Sequence, residues 1–288
     1  MNPNLIDLMA IARHAAIEAA QILLRHYHST TDLQIRDKGE LEGQVTIADL
    51  EANQAILANL QQDLGDQDFA YLTEETEDDL ARLHHDWVWM IDPLDGTSDF
   101  IKHTGEFAVH IGLVYRQRPI LGVVALPAAG VIYRAIQGEG AYRESMTNPS
   151  SSQILRVADK TELSQLVAIA SRSHRTPALE YILANLPTLD QLSVGSIGGK
   201  LTAIAEGRAD FYLSLSGKSA PKDWDYCAPE IILTEAGGKL THFDQTPLIY
   251  NQADISQWGS IIASNGYAHG QLCDYATHLL QKYPKKVN

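Results

Sequence analysis

Cysteine is scarce in this chain, and so are basic charge, aromatic residues and long apolar runs. Two cysteines, Cys227 and Cys273, in 288 residues make no disulfide framework, and their spacing is not a zinc pattern. Cys227 stands beside a motif discussed below, so a redox role and a buried small residue are both open for it. Lysine and arginine total 22 against 36 acids, a formal net charge of −14. That excludes the basic footprint needed for nonspecific binding to nucleic-acid polymers. It does not exclude a small phosphorylated substrate, because metal ions held by clustered carboxylates invert the local potential. No apolar run approaches the ~18 residues of a membrane span. The N-terminus has no basic segment leading into an apolar one, since Glu18 and Arg25 flank an alanine-rich helical pattern. The expected location is therefore cytoplasmic. What is present, 45% apolar and 20% charged residues, is an ordinary globular composition, long enough for one large domain or two of usual size.

Periodicity predicts a long amphipathic helix over 4–27 and a second over 47–62. YLTEE (71–75) reads as a short strand ending in acids, and WVWMID (87–92) as a stronger one stopped by the turn-forming PLDG. FAVHIGLVY and ILGVVALP follow as strands joined through RQRP, and VIYRAIQGEGAYRE as a hairpin. MTNPSSSQ (146–153) is the candidate linker, dividing residues 1–148 from 149–288. Beyond it LVAIAS reads as a strand, PALEYILANL and GGKLTAIAEG as helices, and ADFYLSL as a strand. DYCAPEIILTEAGG reads as a helix closed by glycine, and AHGQLCDYATHLLQKY as a terminal helix. There is no internal repeat. The pattern is a layered α/β protein in two parts.

Acids stand at the ends of four separate segments: Asp49 in VTIAD, Glu74 and Glu75 in YLTEE, Asp92 and Asp95 in DPLDGT, and Asp225 in KDWD. Any one of them alone reads equally as a cap or a solvated turn. The stretch WMIDPLDGTSDF is different, because it drives a core strand straight into carboxylates, and burying unpaired charge is costly. Two aspartates with the Leu94 carbonyl between them suit a hard divalent cation such as Mg²⁺. The N–H groups of Gly96, Thr97 and Ser98 suit a phosphate. Several carboxylates converging without cations would repel one another, and bound metal resolves that. Two or three ions in such a site serve a phosphate displacement.

DPLDGTSDF, preceded by VTIAD and TEE and followed by WD and TEAGG, resembles the inositol monophosphatase superfamily of Mg²⁺-dependent, lithium-sensitive phosphatases. The motifs occur in that family's order and span residues 38–238. The resemblance implies an alternating αβαβα sandwich with the metals between its halves. It also implies metal ligation by Glu74, Asp92, Asp95 and Asp225 with the Leu94 carbonyl. It makes Thr97, with Glu74 and Asp49, the group that orients and assists the attacking water, Gly96 to Ser98 the phosphate cradle, and Glu75 a support for Glu74.

Within the superfamily, three features resemble the 3′(2′),5′-bisphosphate nucleotidases, enzymes of sulfur assimilation that convert 3′-phosphoadenosine 5′-phosphate to AMP and phosphate. They are SRSH at 171–174, Lys200 in GGKLTAIAEGRADFY, and Lys222 in KDWD; GEFAVHIGLVY is similar as well. Ser171, Arg172, His174, Ser196 and Lys200 are the substrate-binding residues this implies. A second anionic group on the substrate calls for such cations. Two departures stand out: Ile197 occupies the position of a usual serine, with Ser196 one residue further back, and Ser214 stands where an arginine is common. Lys218 or Arg172 is the candidate to replace that arginine. SRSH also reads as a polar loop with a capping serine. KGELEG, with Lys38 facing the metals, reads as a mobile flap. His84 and His85 read as exposed, Trp224 as packing, and Asp99 as a cap or a solvent-facing acid without a ligand role. The alternatives are an inositol monophosphatase, as the main or a second activity, a fructose-1,6-bisphosphatase, or a non-catalytic metal-binding relative. The expected state is a monomer or homodimer.

Overall fold

The structure, a computed structural model, describes residues 3–30, 32–39, 43–65 and 68–284. Residues 40–42 and the side chain of Lys38, where the flap is expected, lie outside the described residues. The chain opens with α1 (Leu5–Tyr27), capped by the Asn4 side chain accepting the Ile6 N–H at 3.0 Å. A short hairpin follows, β1 (Arg36–Gly39) and β2 (Gly43–Val45), then α2 (Ile47–Leu64). The buried stripe of α1 is largely alanine, at 12, 15, 16, 19 and 20. Small side chains let α2 approach closely, and both helices lie on one face of a seven-stranded sheet.

That sheet runs in the order β3 (Ala70–Thr73), β4 (Trp87–Asp95), β5 (Ala108–Tyr115), β6 (Arg118–Leu126), β7 (Val131–Ile136), β8 (Gly140–Ser145), β9 (Gln153–Ile154). A five-residue helix, α3 (Thr97–Ile101), follows β4 directly. Only the β3–β4 pair is parallel; the other neighbours are antiparallel. WVWMI is apolar throughout because both faces of β4 are covered. Trp89 and Ile91 turn toward α1 and α2, whereas Val88 and Met90 turn toward the middle of the molecule. The candidate linker holds a 3₁₀ turn, Pro149–Ser151, and leads into β9, which pairs with β8. The sheet therefore continues past residue 148.

The second sheet has the order β11 (Asp190–Val194), β10 (Val167–Ser171), β12 (Phe211–Leu215), β14 (Ser260–Ser264), β13 (Lys239–His242). α4 (Pro177–Asn185) and α7 (His269–Lys282) cover its outer face. α5 (Ile197–Ala205) and α6 (Asp223–Glu235) fill the space between the two sheets. The layers run αβαβα, as the resemblance implies.

Two strand glycines set the depth of α6. A Cβ at Gly112 would lie 2.4 Å from Cys227 Sγ, and one at Gly122 2.7 Å from the Ala228 carbonyl oxygen. α6 can lie this close only because no side chain intervenes. Cys227 is accordingly a buried packing residue whose thiol is pushed far up by burial, the inert form of a cysteine.

Candidate active site

Parallel pairing brings the first acids together. Thr73 on β3 is in register with Ile91 on β4, so Glu74, just past the end of β3, comes beside Asp92 on β4. The turn after β3 is held by Thr73, whose hydroxyl donates to Asn53 Oδ1 at 2.7 Å and accepts the Glu75 N–H at 3.1 Å. The β4–β5 ladder breaks register between Asp92 and Asp95, which turns both carboxylates toward the central layer. α6 supplies the next acid from its first turn, where Asp225 accepts the Lys222 N–H. Ligand oxygens of Asp92, Asp95 and Asp225 lie within 4.8 Å of one another.

These carboxylates are not equivalent. Burial first, then Glu74, Asp95 and Asp225, pushes Asp92 well above the ordinary carboxylate value. Asp225 is raised in the same way, by burial and then by Asp95. Burial also acts to raise Asp95, but His110, Lys200 and the Gly198 N–H outweigh it and hold its carboxyl low. Asp95 Oδ2 accepts the Gly198 N–H at 2.9 Å, and His110 Nε2 stands 3.2 Å from the same oxygen. His110 is fully buried and enters the site from β5 opposite Asp92. Sequence reading gave it no role, although it sits inside FAVHIGLVY as the one histidine of an apolar strand.

Asp49 and Thr97 form a second arm. Thr46 caps α2, and Asp49 Oδ2 accepts both its N–H, at 2.8 Å, and its hydroxyl, at 2.6 Å. Thr97 Oγ1 lies 3.2 Å from both Asp49 Oδ1 and the Leu94 carbonyl oxygen. Burial pushes Asp49 up to about 6 despite its hydrogen bonds to Thr46. Gly96, before α3, has φ of +94°, the left-handed region, and a Cβ there would sit 3.0 Å from the Glu106 carbonyl oxygen. Only glycine fits that turn, and Thr97 and Ser98 open the first turn of α3 directly after it.

The residues expected to bind substrate separate into two kinds. Ser196 is buried and caps α5, its hydroxyl accepting the Gly199 N–H at 2.7 Å. Lys200 is 1% exposed, donates to the Gly195 carbonyl, and lies 5.4 Å from the Tyr212 ring centroid. Burial lowers its amine to about 8, against the pull of Asp95, Asp99, Asp225 and Glu106. Both are turned into the protein. Ser171 is buried at the end of β10, where its hydroxyl accepts the His174 N–H at 3.1 Å. Arg172 has a side chain 43% exposed, and its Nη2 donates to Glu106 Oε1 at 2.7 Å. His174 is lowered by burial and by Lys200. Lys222 Nζ is engaged by Ser256 Oγ at 2.8 Å, and Lys218 is exposed in the loop before α6. Asp99 does not face solvent. It is 5% exposed and accepts the Thr104 hydroxyl at 3.0 Å, and a Cβ at Gly195 would meet its Oδ2 at 2.3 Å.

A cavity of about 400 Å³ lies against His242, Ile249, Gln257 and Trp258, none of which belongs to the acid cluster. Charge, not volume, marks the site. Its donor set is all oxygen, Asp92 and Asp95 are buried and Asp225 half-buried, and among the described residues the pull of Lys222 on Asp225 is outweighed by burial and Asp95. That fits a divalent metal held by carboxylates.

A model of the inositol monophosphatase family matches residues 4–281. The 3′-phosphoadenosine 5′-phosphate phosphatase of Mycobacterium bovis is 35% identical over 214 residues, 72% of this chain and 72% of its own. The crystal structure of CysQ from Bacteroides thetaiotaomicron, a bacterial member of the inositol monophosphatase family, has a TM-score of 0.76 at 33% identity. It covers 89% of this chain and 97% of its own. The inositol monophosphatase of Anabaena (Nostoc) has a TM-score of 0.75 at 28% identity, covering 96% and 97%.

Proposed function

This chain is a phosphatase of the inositol monophosphatase family, and we propose that it is a Mg²⁺-dependent 3′(2′),5′-bisphosphate nucleotidase. It would convert 3′-phosphoadenosine 5′-phosphate to AMP and phosphate, a reaction that serves sulfur assimilation. The observation that carries the phosphatase reading is the group formed by buried Asp92 and Asp95 with half-buried Asp225, beside Glu74. The nucleotidase reading is supported by the exposed guanidinium of Arg172, held by Glu106, whose carbonyl oxygen borders Gly96, and by a relative named a 3′-phosphoadenosine 5′-phosphate phosphatase.

Glu74, Asp92, Asp95, Asp225 and the Leu94 carbonyl would hold two or three Mg²⁺. When bound, these ions supply an activated water and stabilisation of the leaving oxygen. The chain's own part is positional. Thr97, fixed between Asp49 and the Leu94 carbonyl, orients the attacking water, with Glu74 beside it. Asp49, raised toward neutrality, is matched to moving a proton along that arm. Gly96, Thr97 and Ser98 receive the scissile phosphate. Arg172, His174 and Ser171 receive the rest of the substrate, while Ser196 and Lys200 act from behind, through the cap of α5 and through buried charge.

On this reading residues 1–148 carry most metal ligands, and 149–288 carry Asp225 and specificity. Among the described residues no helix is long and apolar enough to cross a membrane. We place the enzyme in the cytoplasm, as a monomer or homodimer.

The test is a panel of adenosine 3′,5′-bisphosphate, inositol 1-phosphate and fructose 1,6-bisphosphate at matched concentrations. The bisphosphate nucleotide should have the highest kcat/KM; a clear preference for inositol phosphate would make the enzyme an inositol monophosphatase. That second reading is favoured by the 28% identity to the Anabaena enzyme over 96% of the chain. Millimolar Li⁺ should inhibit in either case.

A further inference from the structure

Glu106 spans two loops of the second half from a loop of the first. Its Oε1 accepts from Arg172 Nη2 at 2.7 Å, and its Oε2 accepts the Gly195 N–H at 2.7 Å. Both carboxylate oxygens are therefore engaged. Glu106 is itself held in place. Its N–H donates to Thr104 Oγ1 at 3.2 Å, and that hydroxyl donates to Asp99 Oδ1 at 3.0 Å. The Gly195 carbonyl accepts from Lys200 Nζ, and the Asp99 carboxylate fills the space where a Gly195 side chain would be. The same residue borders the reaction centre, since its carbonyl oxygen would lie 3.0 Å from a Cβ on Gly96.

Arg172 makes one charge-assisted contact through Nη2, plus a long one of 3.5 Å to the Ser193 carbonyl oxygen. Its Nε and Nη1 make no hydrogen bond among the described residues, and the side chain is 43% exposed. A guanidinium fixed along one edge and open along the other is a phosphate receptor with a set direction.

We propose that Glu106 is the positioning residue that holds Arg172 for the second phosphate of a bisphosphate substrate. It thereby fixes the span between the two anion sites, because one residue touches both Gly96 and Arg172. This rests on the nucleotidase reading. The carboxylate does not compete with the incoming phosphate: its charge is matched by the guanidinium, and its second oxygen is committed to Gly195. An enzyme built this way selects for two phosphates at a given separation, not for phosphate in general.

The experiment compares adenosine 3′,5′-bisphosphate with adenosine 3′-monophosphate in wild type, Glu106→Gln, Arg172→Ala and the double variant. The readout is the ratio of their kcat/KM values, with KM and kcat separated for the bisphosphate. Glu106→Gln keeps an acceptor for Gly195 and removes the charge. It should lower the ratio about tenfold, through KM and not kcat, the scale of one lost charge-assisted hydrogen bond. Arg172→Ala should lower the ratio at least as far, and the double variant no further than Arg172→Ala alone. Four results overturn the proposal: an equal loss on both substrates, a ratio that rises, additive effects in the double variant, or no effect of Arg172→Ala. A folding defect scales both kcat/KM values alike and cancels from their ratio, and a thermal melt of each variant measures it separately. A wild type that prefers inositol 1-phosphate overturns the nucleotidase reading itself, and that failure is visible before any substitution is made.

Discussion

Replacing Asp92 by asparagine should make the metal-free protein more stable while removing its activity. Asp92 is 1% exposed, shares a 4.8 Å group with Asp95 and Asp225, and accepts the Leu94 N–H at 3.0 Å. Two unit charges 4.8 Å apart repel by about 3.5 kcal/mol at an effective dielectric constant near 20, so two such neighbours set a raw repulsion of about 7 kcal/mol. Burial and these neighbours push the Asp92 carboxyl up, so the free protein relieves part of this repulsion by taking up a proton more readily than an ordinary carboxylate does. Asparagine has the same shape and needs no proton. The expected gain is about 1–3 kcal/mol in EDTA, once imperfect amide hydrogen bonding is subtracted. With Mg²⁺ at about a thousand times its Kd the order reverses, because wild type gains about 4.1 kcal/mol by mass action and the variant gains little. Urea unfolding in EDTA and in saturating Mg²⁺, with calorimetric titration of the metal, measures both terms. A variant that is less stable than wild type in EDTA, gains as much from Mg²⁺, or still hydrolyses substrate would refute the reasoning.

Thr97→Val should lower kcat roughly 10²-fold with little change in KM, since it removes the hydroxyl held between Asp49 and Leu94; a rise in KM alone would contradict that role. Gly198→Ala places a Cβ 2.2 Å from His110 Nε2 on the residue whose N–H holds Asp95. It should cost about 1–3 kcal/mol and weaken metal binding, and wild-type values in melts and metal titrations would count against the contact. His269 is 2% exposed, with Ser264 Oγ 2.7 Å from Nδ1 and Thr241 Oγ1 2.8 Å from Nε2. Burial, aided by Lys239, depresses it from 6.5 to about 4. The neutral ring is the folded form, so its contribution is complete above pH 6.5 and is lost as pH falls from there toward 4. Between pH 7.5 and 5 that amounts to about 2 kcal/mol. Urea melts of His269→Gln should show a correspondingly flatter acid limb; a limb as steep as wild type would assign the loss to other groups.

The helices and the central strands were legible because their periods are unambiguous. α1, α2 and β4 to β8 lie close to where spacing predicts them. β11, β13 and β14 were missed for different reasons. β11 is an exposed edge with no alternation, β13 is four residues long, and β14 is a short apolar run that only its neighbours identify as a strand. Asp99 was read as a cap or a surface acid, yet it is buried, because Gly195, which approaches it, comes from a loop almost a hundred residues away.

The acids themselves, their placement at element ends and the order of the motifs are properties of the chain. They suffice for the family and the reaction class, because a run such as DPLDGT has few physical reasons to end a buried strand. Which polar side chains turn inward and which stay open to solvent was decided elsewhere. Lys200 lies on a helix face that packs between two sheets, so its amine points at a carbonyl and not at solvent. Arg172 is aimed by Glu106, 66 residues away. His110 reaches Asp95 only because β5 pairs with β4. Local sequence sets the period and punctuation of each element, but the direction of a polar side chain depends on partners that only the folded layers bring near.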